Sequence, residues 1–446
     1  MADIVVVGAG LAGLSSAARL AKLGHHVTVL ERNPHPGGAI RSIERDGFRW
    51  DAGPTSTGLP AVIRDLFRKS GRPLERYVEL TMRVPARRHV FEDGSVVDLE
   101  VGSRAAQLSS VSAGLDAAAG EAWTAYVDRL GDVWGELRPE VLDPEDGGRR
   151  LRDRSVAKAL RSRESLARLT KRAFKDERLR TMAAHPFVLA GSAPRDVPAF
   201  EAVTAYIERS FGVWTIPGGM SALTDALVER MSERGVDLRC EEEVASVLTD
   251  GSRVTGVTTA GGMRLDADVV VAAVDLRVLA RLLGGAAPDE WRKVVERSTP
   301  APPFAVTHVG LTADGLPDLP DEVVLHGEPL LVLHTKGTAP EGHRAWTVWR
   351  RGSAQADVLV TLVRRGIDVR QQVVTRLDRS AVDVVNETGG SPLGLASAGW
   401  RSAVARAGLV QPVRGLETVG ASAFPGAGIP YVAWGAARVA ARIGKA

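Results

Sequence analysis

The stretch IVVVGAGLAG, residues 4–13, decides the fold of this 446-residue chain. Its first four residues are an apolar, β-branched run typical of a buried parallel strand, and the remainder is a G-x-G-x-x-G turn. Apolar residues then recur at helical spacing as far as Gly24, a typical helix C-cap. A second strand, residues 26–30, ends at Glu31, where a nucleotide-binding βαβ unit presents a carboxylate to a ribose hydroxyl. The stretch therefore predicts a dinucleotide site.

Each glycine of this Rossmann-type turn has a separate physical role. Gly8 allows the tight turn out of the strand, Gly10 lets the backbone approach a pyrophosphate, and Gly13 lets helix and strand pack closely. The N-terminus of the helix adds free N–H groups and positive dipole character, which favour phosphate. We expect this turn to hold the pyrophosphate and Glu31 a ribose of one dinucleotide.

Length and composition set broad limits on the protein. A chain of this length is too long for one core, so two domains are expected. Hydrophobic residues make up 44% and charged residues 25%, as in a soluble globular protein. A single cysteine, Cys240, excludes an intramolecular disulfide and a cysteine-based metal site, and it fits a reducing cytoplasm. No leader precedes Asp3 and no apolar run is long enough to span a bilayer, so we expect a cytoplasmic protein without a metal.

Positive charge is concentrated in residues 149–180, which contain thirteen Lys or Arg and four Asp or Glu, whereas the whole chain carries only +3. Apolar residues give this segment one hydrophobic side, so it could lie on an anionic membrane surface as a peripheral contact. A solvated helix face is the alternative. No base-stacking aromatics alternate with the basic residues, which argues against nucleic-acid binding.

The chain beyond Glu31 departs from a simple NAD-binding unit. A Gly37-Gly38 pair is followed by Arg41, and a second turn has the pattern Asp51-x-Gly53-Pro54. This resembles the FAD-binding pattern of the amine oxidase and phytoene desaturase superfamily, with its Gly-Gly-x-x-Arg loop and Asp-x-Gly-Pro turn. The planar guanidinium of Arg41 suits a phosphate or a flavin carbonyl.

Three later segments make the resemblance more specific. Residues 213–275 contain a glycine pair before a helix, a strand meander and a buried strand, as in the second portion of phytoene desaturase-like flavoproteins. Residues 386–394 resemble the glycine-rich turn that these enzymes place near the flavin. Residues 416–430 read as a strand, a turn and a helix start, whose N–H groups would face the ribityl chain and pyrimidine edge. The chain is thus similar to a phytoene desaturase (carotenoid desaturase)-like FAD-dependent oxidoreductase.

The resemblance implies an α/β fold, with a Rossmann-type FAD-binding domain of parallel sheet plus β-meander and a second α+β substrate domain of antiparallel sheet and helices. The FAD-binding domain would comprise residues 1–82, 213–275 and 410–446, and the substrate domain residues 83–212, helical and membrane-facing, and 276–409. The implied FAD contacts are Gly8, Gly10, Leu11, Ala12, Gly13, Glu31, Arg32, Gly38, Arg41, Gly53, Pro54, Val244, Gly420, Ala421, Ser422, Gly428 and Ile429.

The substrate domain gives weaker signals. Residues 305–311, 322–326, 330–333 and 346–350 favour strands, and residues 356–377 favour helices. Trp346 and Trp349 could line a pocket or simply fill the core. His308, His326 and His334 do not have the spacing of metal ligands, so no metal is expected.

The sequence contains no Ser-His-Asp or Cys-His set and no carboxylate pair tied by spacing, which suits a reaction carried by a cofactor. The leading hypothesis is hydride transfer from a saturated carbon to flavin N5, with proton loss from the neighbouring carbon. An apolar tunnel would hold a polyisoprenoid or carotenoid-type substrate, and oxygen or a quinone would reoxidise the flavin. His185 and Tyr431 are the candidates for contact with substrate, packing without chemistry being the alternative for each.

Three other hypotheses remain open from the sequence. The enzyme could oxidise a C–N or C–O bond in a smaller metabolite, as amine oxidases of the superfamily do. It could be a redox-neutral isomerase that uses reduced flavin to shift double bonds. It could also bind flavin without catalysis. The chain departs from the family pattern at Ala39, where relatives commonly carry a basic or polar residue, and at Tyr431, where they commonly carry glycine. These differences put the long-polyene substrate in question more than the fold.

Overall fold

A computed structural model describes residues 1–142, 154–160, 163–352, 356–400, 411 and 413–446. Its strands are β1 (Asp3–Val7), β2 (His26–Leu30), β3 (Ser42–Arg45), β4 (Phe48–Asp51), β5 (Thr81–Met82), β6 (Arg87–Val90), β7 (Val96–Leu99), β8 (Trp214–Thr215), β9 (Asp237–Arg239), β10 (Val244–Thr249), β11 (Val254–Thr259), β12 (Arg264–Asp266), β13 (Val269–Ala272), β14 (Ala305–Thr312), β15 (Glu322–Leu325), β16 (Leu330–Gly337), β17 (His343–Arg351), β18 (Val373–Arg379) and β19 (Leu416–Thr418).

The α-helices within those residues are α1 (Leu11–Lys22), α2 (Pro60–Ser70), α3 (Arg104–Gly114), α4 (Ala117–Leu142), α5 (Arg154–Ala159), α6 (Leu166–Ala173), α7 (Glu177–Leu189), α8 (Thr204–Phe211), α9 (Ser221–Ser232), α10 (Leu276–Leu283), α11 (Asp289–Arg297), α12 (Val358–Arg364), α13 (Ala381–Thr388) and α14 (Ile429–Ile443). Short 3-10 helices lie at Leu74–Arg76, Ala199–Val203, Gly284–Ala286 and Arg370–Gln372.

A parallel sheet of order β19-β13-β1-β2-β9 forms the centre of the nucleotide-binding part. Strand β1 is buried on both faces because it lies in the middle of the sheet and its residues are all apolar after Asp3. Helix α1 packs on one face beside α9 and α14, and the meander β10-β11-β12 lies on the other side near α10. Parallel strands end at one edge, so the loops after β1, β2, β13 and β19 meet there.

A seven-stranded sheet of order β18-β14-β17-β16-β15-β6-β7 forms the second part. Its neighbouring strands are antiparallel except β15 and β6, which run parallel. Alternate residues of β14–β17 pack against α12, among them Leu333 and Trp346. The residues between them, including Val332 and Trp349, form the opposite face and contact the end of α7 at Leu189. The seven-stranded sheet therefore has two different faces. The apolar face that packs against α12 is the outer face, and the opposite face, which mixes apolar and polar residues, is the inner face.

Helices α3–α8 form a layer with its own core around Trp123, Tyr126 and Phe174. Ser103 and Ser165 cap α3 and α6 by accepting backbone N–H bonds, as expected for serine at N-caps. Residues 149–153 and 161–162 of the basic segment lie outside the described residues. Within the described part of that segment, α6 buries Leu166 and exposes Arg168 and Lys171.

The predicted α/β class, with a parallel sheet and meander beside an antiparallel sheet with helices, is confirmed. The helices expected over residues 356–377 are partly wrong, because residues 373–379 form the edge strand β18. In this strand Thr375 is buried and its neighbour Val374 is exposed, which is the alternation of a β-strand. The helical interpretation of this charged stretch missed that alternation. The proposed domain boundaries stay a prediction, and residues 401–410 beside the last one lie outside the described residues.

Candidate cofactor and substrate site

A cleft of about 900 Å³ opens at the carboxyl ends of β1, β2 and β13. Its floor is the turn after β1, and its walls are the residue 37–40 loop, the start of β10, and the loop before α14. Residues 385–392 close it from the side of the seven-stranded sheet. This is the position where doubly wound sheets bind nucleotides.

The three glycines of the G-x-G-x-x-G turn are required for different reasons. Gly8 has φ +98° and Gly13 leaves no room for a side chain, since a Cβ there would lie 1.9 Å from the Gly8 carbonyl oxygen. Gly10, by contrast, has φ −73°, which any residue adopts, and the nearest protein atom to a Cβ there would be Gly38 Cα at 3.9 Å. Nothing in the protein itself demands a glycine at position 10. The space that a side chain would fill there is the cleft.

Glu31 is buried at the end of β2 and is held in one orientation. Its Oε2 accepts the backbone N–H of Ala9 at 2.8 Å, and its Oε1 accepts the backbone N–H and side-chain amide of Asn33 at 2.9 and 2.7 Å. A carboxylate has about four acceptor sites, so both oxygens keep capacity for further donors such as hydroxyl groups.

Fourteen of the seventeen residues predicted to contact FAD line this cleft. They are Gly8, Gly10, Leu11, Ala12, Glu31, Arg32, Gly38, Pro54, Val244, Gly420, Ala421, Ser422, Gly428 and Ile429. The other three, Gly13, Arg41 and Gly53, lie behind its walls. Gly13 packs the helix onto β1, and Gly53 lets its backbone pass close to the carbonyl of Ala39.

Arg41 does not line the cleft itself but donates to a carboxylate that does. Its Nη2 donates to Glu387 Oε2 at 2.7 Å, and Arg379 donates to the same oxygen. Glu387 itself lines the cleft, beside Arg32, whose guanidinium donates to the Asn386 carbonyl. The sequence could not reveal this pairing because Arg41 and Glu387 lie in segments far apart along the chain.

The two candidates for contact with substrate do not line the cleft. His185 is buried in α7, where Nδ1 faces the Met182 carbonyl at 2.9 Å and burial lowers its pKa to about 4. Its ring contacts that of His89, whose Nδ1 lies 2.9 Å from Nε2 of His326. Tyr431, in the first turn of α14, is half-buried, and burial raises its pKa to about 12. Both side chains pack against other residues, and contact with substrate stays a prediction for each.

A charged network on the inner face of the seven-stranded sheet was not predicted from the sequence. Glu322 accepts from Arg83 Nη1 and Arg87 Nε, both at 2.8 Å, and Arg87 also forms a two-bond pair with Glu208. Burial alone would raise the pKa of Glu322, but the two guanidinium groups outweigh it and lower the pKa to about 2. Arg83 also donates to the Thr55 carbonyl, next to the cleft-lining Pro54.

The histidines noted in the sequence lie on this same inner face. His334 contacts Thr55 Oγ1 through Nδ1 at 3.1 Å, and His308 contacts Thr347 Oγ1 at 3.0 Å. Burial lowers the pKa of His334 to about 4 and that of His308 to about 3, so both are neutral near pH 7. Across the described part of the chain, no group of histidine, cysteine or acidic side chains has a metal-binding arrangement. Nor does any helix described there have the length and apolarity needed to cross a membrane.

Comparison with solved structures gives the same fold. An oxidoreductase from Methanosarcina mazei is 20% identical, with a TM-score of 0.67 over 98% of this chain and 99% of that one. Cyclohexylamine oxidase from Brevibacterium oxydans is 16% identical, with a TM-score of 0.69 over 99% of both chains.

Several of the proteins similar in sequence are carotenoid desaturases. The zeta-carotene-forming phytoene desaturase of Myxococcus xanthus is 33% identical over 280 residues, which cover 61% of this chain and 53% of that protein. Hydroxyneurosporene desaturase of Cereibacter sphaeroides is 35% identical over 295 residues, covering 64% and 59%. The matches thus span little more than half of each relative's own length. They confirm the predicted resemblance to phytoene desaturase-like proteins.

One family model covers most of the chain. The description of that family is flavin-containing amine oxidoreductase, and the match extends over residues 11–408. The prediction of a flavin cofactor is confirmed at that level. The chain belongs to the flavin-containing amine oxidoreductase family.

Proposed function

We propose that this protein is an FAD-dependent desaturase that introduces a double bond into a polyisoprenoid or carotenoid-type substrate. The observation that carries the proposal is the glycine at position 10, which neither backbone conformation nor a protein neighbour requires. A ligand that lies directly on the backbone supplies the missing reason. The sequence relatives that are desaturases supply the substrate class.

Three features of the cleft support a flavin dinucleotide as its ligand. Glu31 has free acceptor sites for the ribose hydroxyls, and the first turn of α1 offers N–H groups without intrahelical partners to the pyrophosphate. The N-terminus of α14, after Gly428, would face the other end of the cofactor with the positive side of its dipole. A volume of about 900 Å³ is at the upper end of the range for ligand pockets, as a large cofactor needs.

When bound, FAD supplies a two-electron acceptor that takes a hydride from a saturated carbon at N5. The protein then has to hold the substrate chain against that face, exclude water, and accept the proton that the neighbouring carbon loses as the double bond forms. Apolar side chains that line the cleft itself, among them Ile40, Ile429 and Val432, support the first two tasks. Oxygen or a quinone would take the two electrons from the reduced cofactor.

A membrane is the source we propose for such an apolar substrate. Exposed cations of α6 and the following turn, Arg168, Lys171 and Lys175, would attach the helical layer to anionic lipid. Binding to vesicles with and without phosphatidylserine tests this contact. Equal binding to both vesicles would count against it.

The decisive experiment is anaerobic addition of candidate substrates to the purified holoenzyme, with the visible flavin band as readout. Phytoene in micelles should bleach the band, and acid release of the cofactor should yield FAD and not FMN. Bleaching by amines or alcohols alone would replace desaturation with oxidation of a small metabolite. Double-bond movement that requires prior flavin reduction would indicate an isomerase.

A further inference from the structure

Residues 385–390, the last turn of α13 and the glycine pair that follows it, form a strap along one side of the cofactor cleft. Every residue of the strap lines the cleft, and so do Gly8 and Gly10 in the turn after β1. The space between the strap and this turn is therefore the cleft itself, and a ligand on the turn lies beneath the strap.

The strap is joined to both sides of the cleft. Arg32, directly after β2, donates from its guanidinium to the carbonyls of Asn386 and Glu387. On the other side Gly390 packs against Asp275, which follows β13, so closely that a Cβ on Gly390 would lie 2.5 Å from the Asp275 Cβ. Strand β1 lies between β2 and β13, and neighbouring strands are about 4.8 Å apart. The strap and the Arg32 side chain thus bridge about 10 Å across the end of β1, where the pyrophosphate is expected.

An ionic contact holds the middle of the strap. Glu387 Oε2 accepts from Arg41 Nη2 at 2.7 Å, and Arg379 donates to both oxygens of the same carboxylate. Arg379 is only 5% exposed and also donates to the Ala52 carbonyl at 2.9 Å, so its guanidinium is fixed in place. The Glu387 side chain is 32% exposed, so water can replace these bonds when the contact breaks. We call this contact the latch.

Little apolar surface holds the strap down. Its residues are all half-buried or exposed, and Val384 is the one residue that α13 buries. Directly after the strap, Ser391 is buried and donates from Oγ to the Ala301 carbonyl, which fixes the chain there. Gly389 has φ +72°, and a glycine pair gives the backbone the freedom of a hinge. A segment with few buried apolar contacts can open without unfolding of the whole protein.

We propose that the strap closes over the pyrophosphate part of the cofactor with Glu387 as its latch, so that FAD enters and leaves only while the strap is open. This inference rests on the proposed function, which supplies the cofactor. The latch joins side chains of the protein to one another, so it holds the empty and the filled cleft closed to the same extent. It therefore sets the rates of FAD exchange and not the affinity.

The test measures both rates of exchange. Association of FAD with the apoprotein is followed by quenching of flavin fluorescence, and release by the fluorescence regained when excess ADP blocks rebinding to the holoprotein. Glu387→Gln removes the charge of the latch, and Gly390→Ala forces the strap away from Asp275 without touching the latch. Each should accelerate both release and association at high FAD concentration about tenfold, and leave Kd within about twofold of the native value.

Asp383→Asn is the matched control, because Asp383 belongs to the capping box at the other end of α13. It should leave both rates unchanged, and equal acceleration by Asp383→Asn would assign the effect to helix stability and overturn the latch. Faster release with unchanged association would show a lost contact with FAD and overturn the strap. FAD binding with rates that neither Glu387→Gln nor Gly390→Ala changes would overturn this inference and leave the cofactor assignment intact. A native protein that binds no FAD would remove the proposed function as well.

Discussion

The two glycines Gly10 and Gly13 allow a test that separates cofactor binding from folding. Adding one methyl group at Gly13 places it 1.9 Å from the Gly8 carbonyl oxygen, so the helix or the strand has to move. Overpacking of this kind costs about 1–3 kcal/mol, and occasionally more. The same methyl group at Gly10 has 3.9 Å of clearance from the protein and no backbone strain. The apoprotein should therefore tolerate it, apart from a small loss at the helix N-cap.

FAD binding, unlike the stability of the apoprotein, should be sensitive to a side chain at position 10. At Gly10 the added methyl group occupies the space into which a pyrophosphate would fit, and an overpacking cost of about 1–3 kcal/mol in the complex corresponds to about 5- to 150-fold weaker binding. Gly10→Ala should thus weaken FAD binding strongly while lowering the unfolding midpoint of the apoprotein by no more than about 4 °C. Gly13→Ala should lower the midpoint of the apoprotein itself.

The assay is titration of the apoprotein with FAD, followed by quenching of flavin fluorescence, together with thermal unfolding of the same preparations. The titration of Gly10→Ala measures the contact between position 10 and FAD, and the unfolding curve measures the stability of the apoprotein. Unchanged FAD affinity in Gly10→Ala would refute the placement of the pyrophosphate over this turn. Loss of apoprotein stability in Gly10→Ala comparable to that in Gly13→Ala would show that position 10 is limited by packing.

Three further predictions concern stability. Glu322→Gln leaves the buried guanidinium of Arg83 without its paired carboxylate and that of Arg87 with Glu208 alone, so it should lower the free energy of unfolding by about 3–5 kcal/mol in urea. The exposed Glu341→Gln should change that free energy by less than about 0.5 kcal/mol. His185 has a folded pKa of about 4, below the ordinary 6.5, so its contribution is complete above pH 6.5 and about 3 kcal/mol is lost as pH falls through 4. His185→Phe should flatten that part of the stability profile, and an unchanged profile would contradict the burial of a neutral ring. Asp51→Ala removes the acceptor of two backbone N–H groups at the start of α9 and should cost about 0.5–2 kcal/mol in thermal unfolding, with Asp225→Ala, on the exposed face of that helix, nearly neutral.

The nucleotide-binding half was predictable because its signals are local. The strand, the glycine turn and Glu31 occur within one short stretch, and each has a single physical purpose that the spacing reveals. Residues carried over by resemblance, such as Val244 and Gly420, also line the cleft, since the motif that contains each of them is itself local.

The substrate half was less predictable because its important contacts join segments far apart in the chain. Arg87 meets Glu322 because β6 pairs in parallel with β15, a register that no spacing along the sequence reveals. His334 lies opposite Glu322 in the antiparallel pairing of β15 and β16. Arg41 was predicted at the cofactor, and its pairing with Glu387, which lies in a segment far along the chain, had no signal in the sequence. Trp346 and Trp349 lie three residues apart on β17, so their side chains point to opposite faces of the sheet. Trp346 lies on the outer face and Trp349 on the inner face.

The strand order of the parallel sheet determines when, during synthesis of the chain, the cofactor cleft can be completed. β1 is synthesised first, yet its neighbour β13 is in turn paired with β19, and α14 follows later still. The cleft is therefore incomplete until the ribosome has passed residue 443, and pairing across so long a separation in sequence is slow. During that interval the apolar β1 and β2 have no complete sheet and are exposed to aggregation. Flavin supply during expression should accordingly affect the yield of folded protein more than the rate of its synthesis.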